Sequence, residues 1–151
     1  MRKLNDFEQR NIDFLFEHDI RHAEVCITSN ILAHSIFDAN KSIMELLKEK
    51  SIHDYNAQAF GKEHKVLKTT YILTFKRIIE ASTSLYRAKT RGDERMWLGH
   101  EILTITEPND IYSIFVFDHN IFAINITKID IGKCYRSSLD NPIKSTIVCF
   151  K

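Results

Sequence analysis

The spacing of apolar positions changes several times along the chain, and each change predicts an element. Phe7, Phe14 and Leu15 recur at helical intervals behind Asn5 and Asp6, both good N-caps, so a first helix is expected to run to about His18. Residues 20–27 fit a helix or a strand equally well. From Thr28 or Ser29 onward, Leu32, Ile36, Ala39, Ile43, Leu46 and Leu47 stand three or four apart, with Lys48 and Lys50 at the end. That pattern predicts one long helix closed by cations, which suit the carbonyl end of the helix dipole. Residues 52–60 then alternate, with Tyr55, Ala57 and Ala59 opposite Asp54, Asn56 and Gln58, which predicts a strand. Gly61 follows as a turn, and residues 63–73, rich in Val, Thr, Tyr and Ile, read as the next strand.

Residues 74–88 read as a third helix, with Phe75, Ile78, Ile79, Ser82, Leu85 and Tyr86 along one side. A polar loop at 89–95 turns at Gly92-Asp93. Strands are expected over about 96–106, 111–117 and 121–126, the last two as a hairpin around His119-Asn120, with a final strand at 145–150. The unbroken run Ile114-Phe115-Val116-Phe117 predicts burial on both faces. The resulting order, α, α, β, β, α, β, β, β, β, describes an α/β (α+β) domain with a mixed central sheet flanked by helices.

Composition adds bounds to that picture. The length of 151 residues suits a single domain spanning 1–151. A hydrophobic share of 44% with 27% charged residues belongs to a globular chain rather than a disordered one. Cys26, Cys134 and Cys149 are odd in number and lack zinc spacing, which predicts reduced thiols in the cytoplasm. The first residues turn acidic without an apolar core, and no apolar stretch approaches the ~20 residues of a membrane helix. A cytoplasmic chain without membrane segments is the expectation.

Net charge is only +1, but it is unevenly spread. Residues 62–95 carry nine cations (Lys62, Lys65, Lys68, Lys76, Arg77, Arg87, Lys89, Arg91 and Arg95) against four acids, Glu63, Glu80, Asp93 and Glu94. A local basic surface on a near-neutral protein suits a polyanion. The segment from Tyr86 to Trp97 mixes cations, a turn and aromatic rings, so it is a candidate to touch phosphates, with Arg91 or Arg95 in reach of a base edge.

Asp54 and the pair Glu63-x-Lys65 lie at the start of this basic stretch. Two carboxylates can hold Mg²⁺, a hard ion that takes oxygen ligands, and an adjacent ammonium can orient a water and offset growing charge. On a strand, Glu63 and Lys65 would face the same way. An Asp followed by ExK, across a strand–Gly–strand unit between helices, resembles the PD-(D/E)XK nuclease superfamily over about residues 29–118. His53 stands where that family usually has Pro. The resemblance implies a Mg²⁺-dependent DNA endonuclease, of type II restriction or junction-resolvase kind, acting as a homodimer. Asp54, Glu63 and Lys65 would be catalytic, Asp54 and Glu63 would bind the metal, and Lys68, Arg77, Arg87, Lys89, Arg91 and Arg95 would contact DNA. Two alternatives stand beside it: a non-enzymatic inhibitor, immunity or regulatory protein, and a nucleic-acid binder without catalysis.

Overall fold

Burial that alternates along the strands divides one sheet into two faces, and each face collects its own core. The computed structural model describes residues 3–131 apart from Ser35 and Lys76; the strand expected at 145–150, with Cys134 and Cys149, lies outside the described residues. The helices are α1 (Asp6–Glu17), α2 (Ser29–His34) and α3 (Lys41–Glu49). The strands are β1 (His22–Ile27), β2 (Ile36–Asp38), β3 (Val66–Leu73), β4 (Ile78–Arg87), β5 (Glu94–Trp97), β6 (Asp110–Phe117) and β7 (Asn120–Asn125). They form one sheet in the order β1-β6-β7-β3-β4-β5-β2. Every neighbouring pair is antiparallel except β3 and β7, which run parallel, so the mixed sheet with helices of an α+β chain is present. None of the described helices is long and apolar enough to cross a membrane.

One face carries Val25, Ile72, Ala81, Leu85, Met96, Ile114 and Ile121, packed against Ile43, Leu46 and Leu47 of α3. The other carries Leu73, Phe115, Phe122 and Ile124 beneath Leu15 of α1. Full burial of side chains of this size contributes roughly 1.5–3 kcal/mol each. β6 serves both cores, as its unbroken apolar run implies. The β6–β7 turn is tight, and Asp118 and His119 both adopt positive φ, as a two-residue hairpin with the right-handed strand twist requires.

α1 begins as the sequence predicts. Asn5 accepts from the Glu8 amide, and Glu8 accepts in return from the Asn5 amide, both at 2.8 Å. The helix is then latched to the stretch after β7. Thr127 Oγ1 donates to Glu8 Oε2 at 2.7 Å, and buried Asn11 donates to the Ile126 and Ile129 carbonyls and accepts from the Ile131 amide.

Four expected elements take another form. The long helix from 28 to 50 is broken into α2, β2 and α3, because Phe37 is drawn under the sheet beside Met96 and Asn40 starts a new helix by accepting from the Ile43 amide. The apolar positions Ala39, Ile43, Leu46 and Leu47 still turn inward. Residues 52–60 form no strand: the Asp54 side chain caps a short 3-10 turn, Tyr55–Ala57, and a second such turn covers Lys62–His64. The helix expected at 74–88 is instead β4, held between β3 and β5, where the paired Ile, Thr and Ser side chains suit a pleated surface. β5 ends at Trp97; Gly99, at φ +114°, turns the chain into a 3-10 segment, His100–Thr104.

A candidate nucleic-acid groove

On the face that α1 covers, the register carries a single row of side chains across the other half of the sheet. Leu67 lies opposite Ser84, Ser84 opposite Trp97, and Trp97 opposite Ile36. The next row sets Tyr86 opposite Arg95 and Arg95 opposite Asp38. Side chains two apart on a strand share a face, so Tyr86, Ser84, Trp97, Arg95 and Ile36 belong to one surface. Leu67 is 62% exposed there, and Ile36 and Trp97 are half-buried. Two adjoining hollows open on this surface and share Ile36, Lys62 and Tyr86. The smaller, about 220 Å³, has Ser84, Trp97 and Lys65 in its lining, and the larger, about 480 Å³, has Glu63, Lys89 and Arg95.

Cations dominate the rim. Lys62, Lys65, Lys89 and Arg95 face a single lining carboxylate, that of Glu63. Arg95 is already paired, with Asp38 at 3.0 Å and Asp93 at 3.4 Å. The Lys62 ammonium stands 5.7 Å from the centroid of the Tyr86 ring, a cation–π contact. Burial pushes the Tyr86 phenol above its ordinary value, against the opposing pull of Arg95, so Tyr86 is an uncharged ring at neutral pH.

The residues that look most exposed in sequence hold the groove in shape. Arg87 donates to the Gly92 carbonyl at 2.8 Å and to the Tyr55 carbonyl, lies 3.7 Å from Glu94, and covers the Phe60 ring at 4.6 Å. Its carbonyl accepts from the Gly61 amide. Gln58 donates to the carbonyls of His64 and Leu85 and meets the His53 ring at 2.9 Å. These polar side chains fix residues 53–64 against β4 without a strand ladder, which is how a segment of alternating pattern escapes the sheet. Gly92 holds φ +72°, and a β-carbon there would overlap Phe60.

The expected nuclease residues are thus distributed as follows. Glu63 and Lys65 lie at the groove, within and just after the 3-10 turn, rather than side by side on a strand. The Glu63 carboxylate sits over Gly61 and 4.0 Å from His64. The Asp54 carboxylate accepts from the Asn56 amide at 3.0 Å and is absent from the groove lining. Among the described residues no three His, Cys, Asp or Glu side chains gather closely enough to hold a metal ion. Asp54 and Glu63 thus belong to two separate 3-10 turns rather than to facing strands. Of the expected DNA contacts, Lys89 and Arg95 line the groove, Arg87 is turned inward, and Arg91 is exposed in the adjacent loop. Lys68 lies on β3 and acts electrostatically on His53. Arg77 closes the β3–β4 turn with Thr74, at the opposite end of β4 and roughly 30 Å from Tyr86 at a strand rise of about 3.3 Å.

Trp97 lies at the end of the segment singled out in the sequence, whereas Ser84 and Ile36 are groove residues that sequence reasoning passed over. The signal lay in reading 78–97 as a hairpin about Gly92: pairing Arg87 with Glu94 sets Tyr86 against Arg95 and Ser84 against Trp97 automatically. Comparison of the chain with protein-family models, with curated proteins and with solved structures finds no match.

Proposed function

We propose that this protein binds nucleic acid in the groove over β2, β4 and β5. The observation that carries the proposal is the meeting, on one sheet face, of the half-buried Trp97 ring and the Tyr86 ring, 6% exposed, with a rim of lysines. Among the described residues no carboxylate forms an ion pair with Lys62, Lys65 or Lys89. Phosphates satisfy such cations at a distance set by the side chains, and nucleobases satisfy aromatic faces. Neither a purely apolar partner nor a small inorganic anion uses both. An inhibitor or immunity protein needs no such floor.

Hydrolysis of DNA, as the resemblance to PD-(D/E)XK nucleases implies, is the more demanding version of this proposal. What supports it is that Glu63 and Lys65 border the same groove. One experiment separates the two. Supercoiled plasmid is incubated with the purified chain and Mg²⁺ or Mn²⁺, and retardation and cutting are scored on the same gels. Retardation without cutting supports binding alone, and cutting abolished by Glu63→Gln supports the nuclease. Failure to retard plasmid, oligonucleotide or RNA at low salt removes both.

A further inference from the structure

We infer that the groove takes an unpaired nucleotide, its base lying on the Trp97–Tyr86 floor and its phosphates on the lysine rim. This rests on the nucleic-acid proposal and narrows it to single-stranded or locally opened strands. In a duplex the base faces are hidden in the stack, and only phosphates and groove edges are offered to a protein. An aromatic floor gains nothing from such a ligand. An unpaired base has a free π-face, which stacks on Trp or Tyr whatever its sequence.

The placement of the rings fits this use. Trp97 and Tyr86 occupy neighbouring rows on adjacent strands, a diagonal relation that spaces side chains by roughly 7–8 Å. Tyr86 lines both hollows and Trp97 the smaller, where Ile36 and Ser84 fill the floor around Trp97 without a charge. The cations stand above, on the 62–65 turn and at the end of β4, so charge and ring surface lie at different depths. Lys62 stands over the Tyr86 face in the free chain. Tyr86 is only 6% exposed beneath it, so an entering base lies on the half-buried Trp97 ring with Tyr86 at its edge, and the flexible ammonium moves to a phosphate. The hollow that Trp97 lines is about 220 Å³ and adjoins the one of about 480 Å³ that holds Lys89 and Arg95, neither on the scale of a channel for a double helix.

Trp97 is the chain's single tryptophan, so its emission reports on the floor alone. The full chain is titrated with three fluorescein-labelled DNAs: a mixed-sequence single strand, the same sequence folded as a hairpin duplex, and the single strand with its central bases removed to leave abasic sugars. Anisotropy measures binding, and tryptophan emission, read with unlabelled copies, measures stacking. The intact single strand is expected to bind tightest and to quench Trp97. The abasic strand should bind about 5- to 150-fold more weakly, the loss expected for one stacking contact. Trp97→Ala should lose a similar factor on the intact strand and nothing on the hairpin, while Trp97→Phe stays within a few-fold of the parent. Circular dichroism confirms folding, and the abasic comparison needs no variant at all. A hairpin bound as well as the single strand, with Trp97 emission unmoved, overturns the inference and leaves nucleic-acid binding intact. Equal binding of abasic and intact strands does the same. Absence of binding to all three overturns both.

Discussion

The same face of the same sheet is built in two ways. Over β6, β7 and the end of β3 it is sealed: Phe115 and Phe122 stack with centroids 5.3 Å apart, Leu15 of α1 closes the surface, and all three are fully buried. Over β4, β5 and β2 it carries Tyr86, Ser84, Trp97 and Arg95 under a rim of lysines. The sealed end uses hydrocarbon and a few internal hydrogen bonds. The other uses aromatic residues with a polar tip, which tolerate both a packed neighbour and water. Selection for stability alone would extend the apolar surface across the whole face. Where it stops, rings with cations replace it, and on that contrast the proposed nucleic-acid groove rests.

The comparison can be broken most directly at the sealed end. Phe122→Ala should lose about 3–5 kcal/mol, because a buried ring leaves a cavity its rigid neighbours cannot fill. Trp97→Ala, at a half-buried site, should lose at most about 2 kcal/mol. Urea denaturation of the two variants decides it, and equal losses would remove the distinction between the ends. Asn11→Ala should cost about 2–3 kcal/mol, since two carbonyls and one amide after β7 lose their partner in a buried place. Gly92→Ala should cost about 1–2 kcal/mol for the positive φ, with Phe60 displaced. Its damage should stay local, so native-state hydrogen exchange should quicken at residues 88–93 and not in β6 or β7. Changing Lys62 and Lys89 together to Ala should move stability by no more than about 0.5 kcal/mol. Nucleic-acid affinity should fall, and the dependence of log K on log salt, roughly −2 to −3 for three or four phosphate contacts on a single strand, should flatten by about one.

The smallest effect concerns pH. Burial holds the His53 imidazole below its ordinary value of 6.5, against the hydrogen bond to Gln58 that favours the charged form. The unfolded chain then binds the proton more readily than the folded one, so stability falls as pH drops through 6.5 toward the folded value and is unaffected above it. His53→Gln should flatten the stability profile between pH 5 and pH 7, as measured by urea midpoints. A profile unchanged by the substitution would show that another group carries the slope.

What was legible in the sequence follows from which forces are local. The cap at Asn5 and the 111–126 hairpin depend on residues within a few positions of one another, and both appear as expected, the cap completed by Glu8 and the hairpin turn shifted by one residue to Asp118-His119. The strand at 78–87 was hidden because Ile78, Ser82 and Leu85 also fit a helical period, and only the partners β3 and β5, supplied by distant sequence, choose between the two. The break at Ile36–Asn40 was hidden in the same way, since Phe37 pairs with Met96, fifty-nine positions on in the chain. For the groove, the concentration of charge at 62–95 was visible. What could not be read was that Arg87 spends its guanidinium on the backbone of Tyr55 and Gly92, and that Arg77 belongs to the other end of the strand.

The parallel pairing of β3 with β7 also imposes an order of assembly. β3, β4, β5 and β2 need only the first ninety-seven residues to complete their ladders, whereas β1 has no partner until β6 has been made, and one edge of β3 waits for β7. During synthesis the β3–β4–β5–β2 part of the sheet can therefore form while the rest is still an open template of unpaired backbone. Refolding followed by pulsed hydrogen exchange should show amides of β4 and β5 protected before those of β1. The last hairpin to arrive closes both the sheet and the core beneath α1.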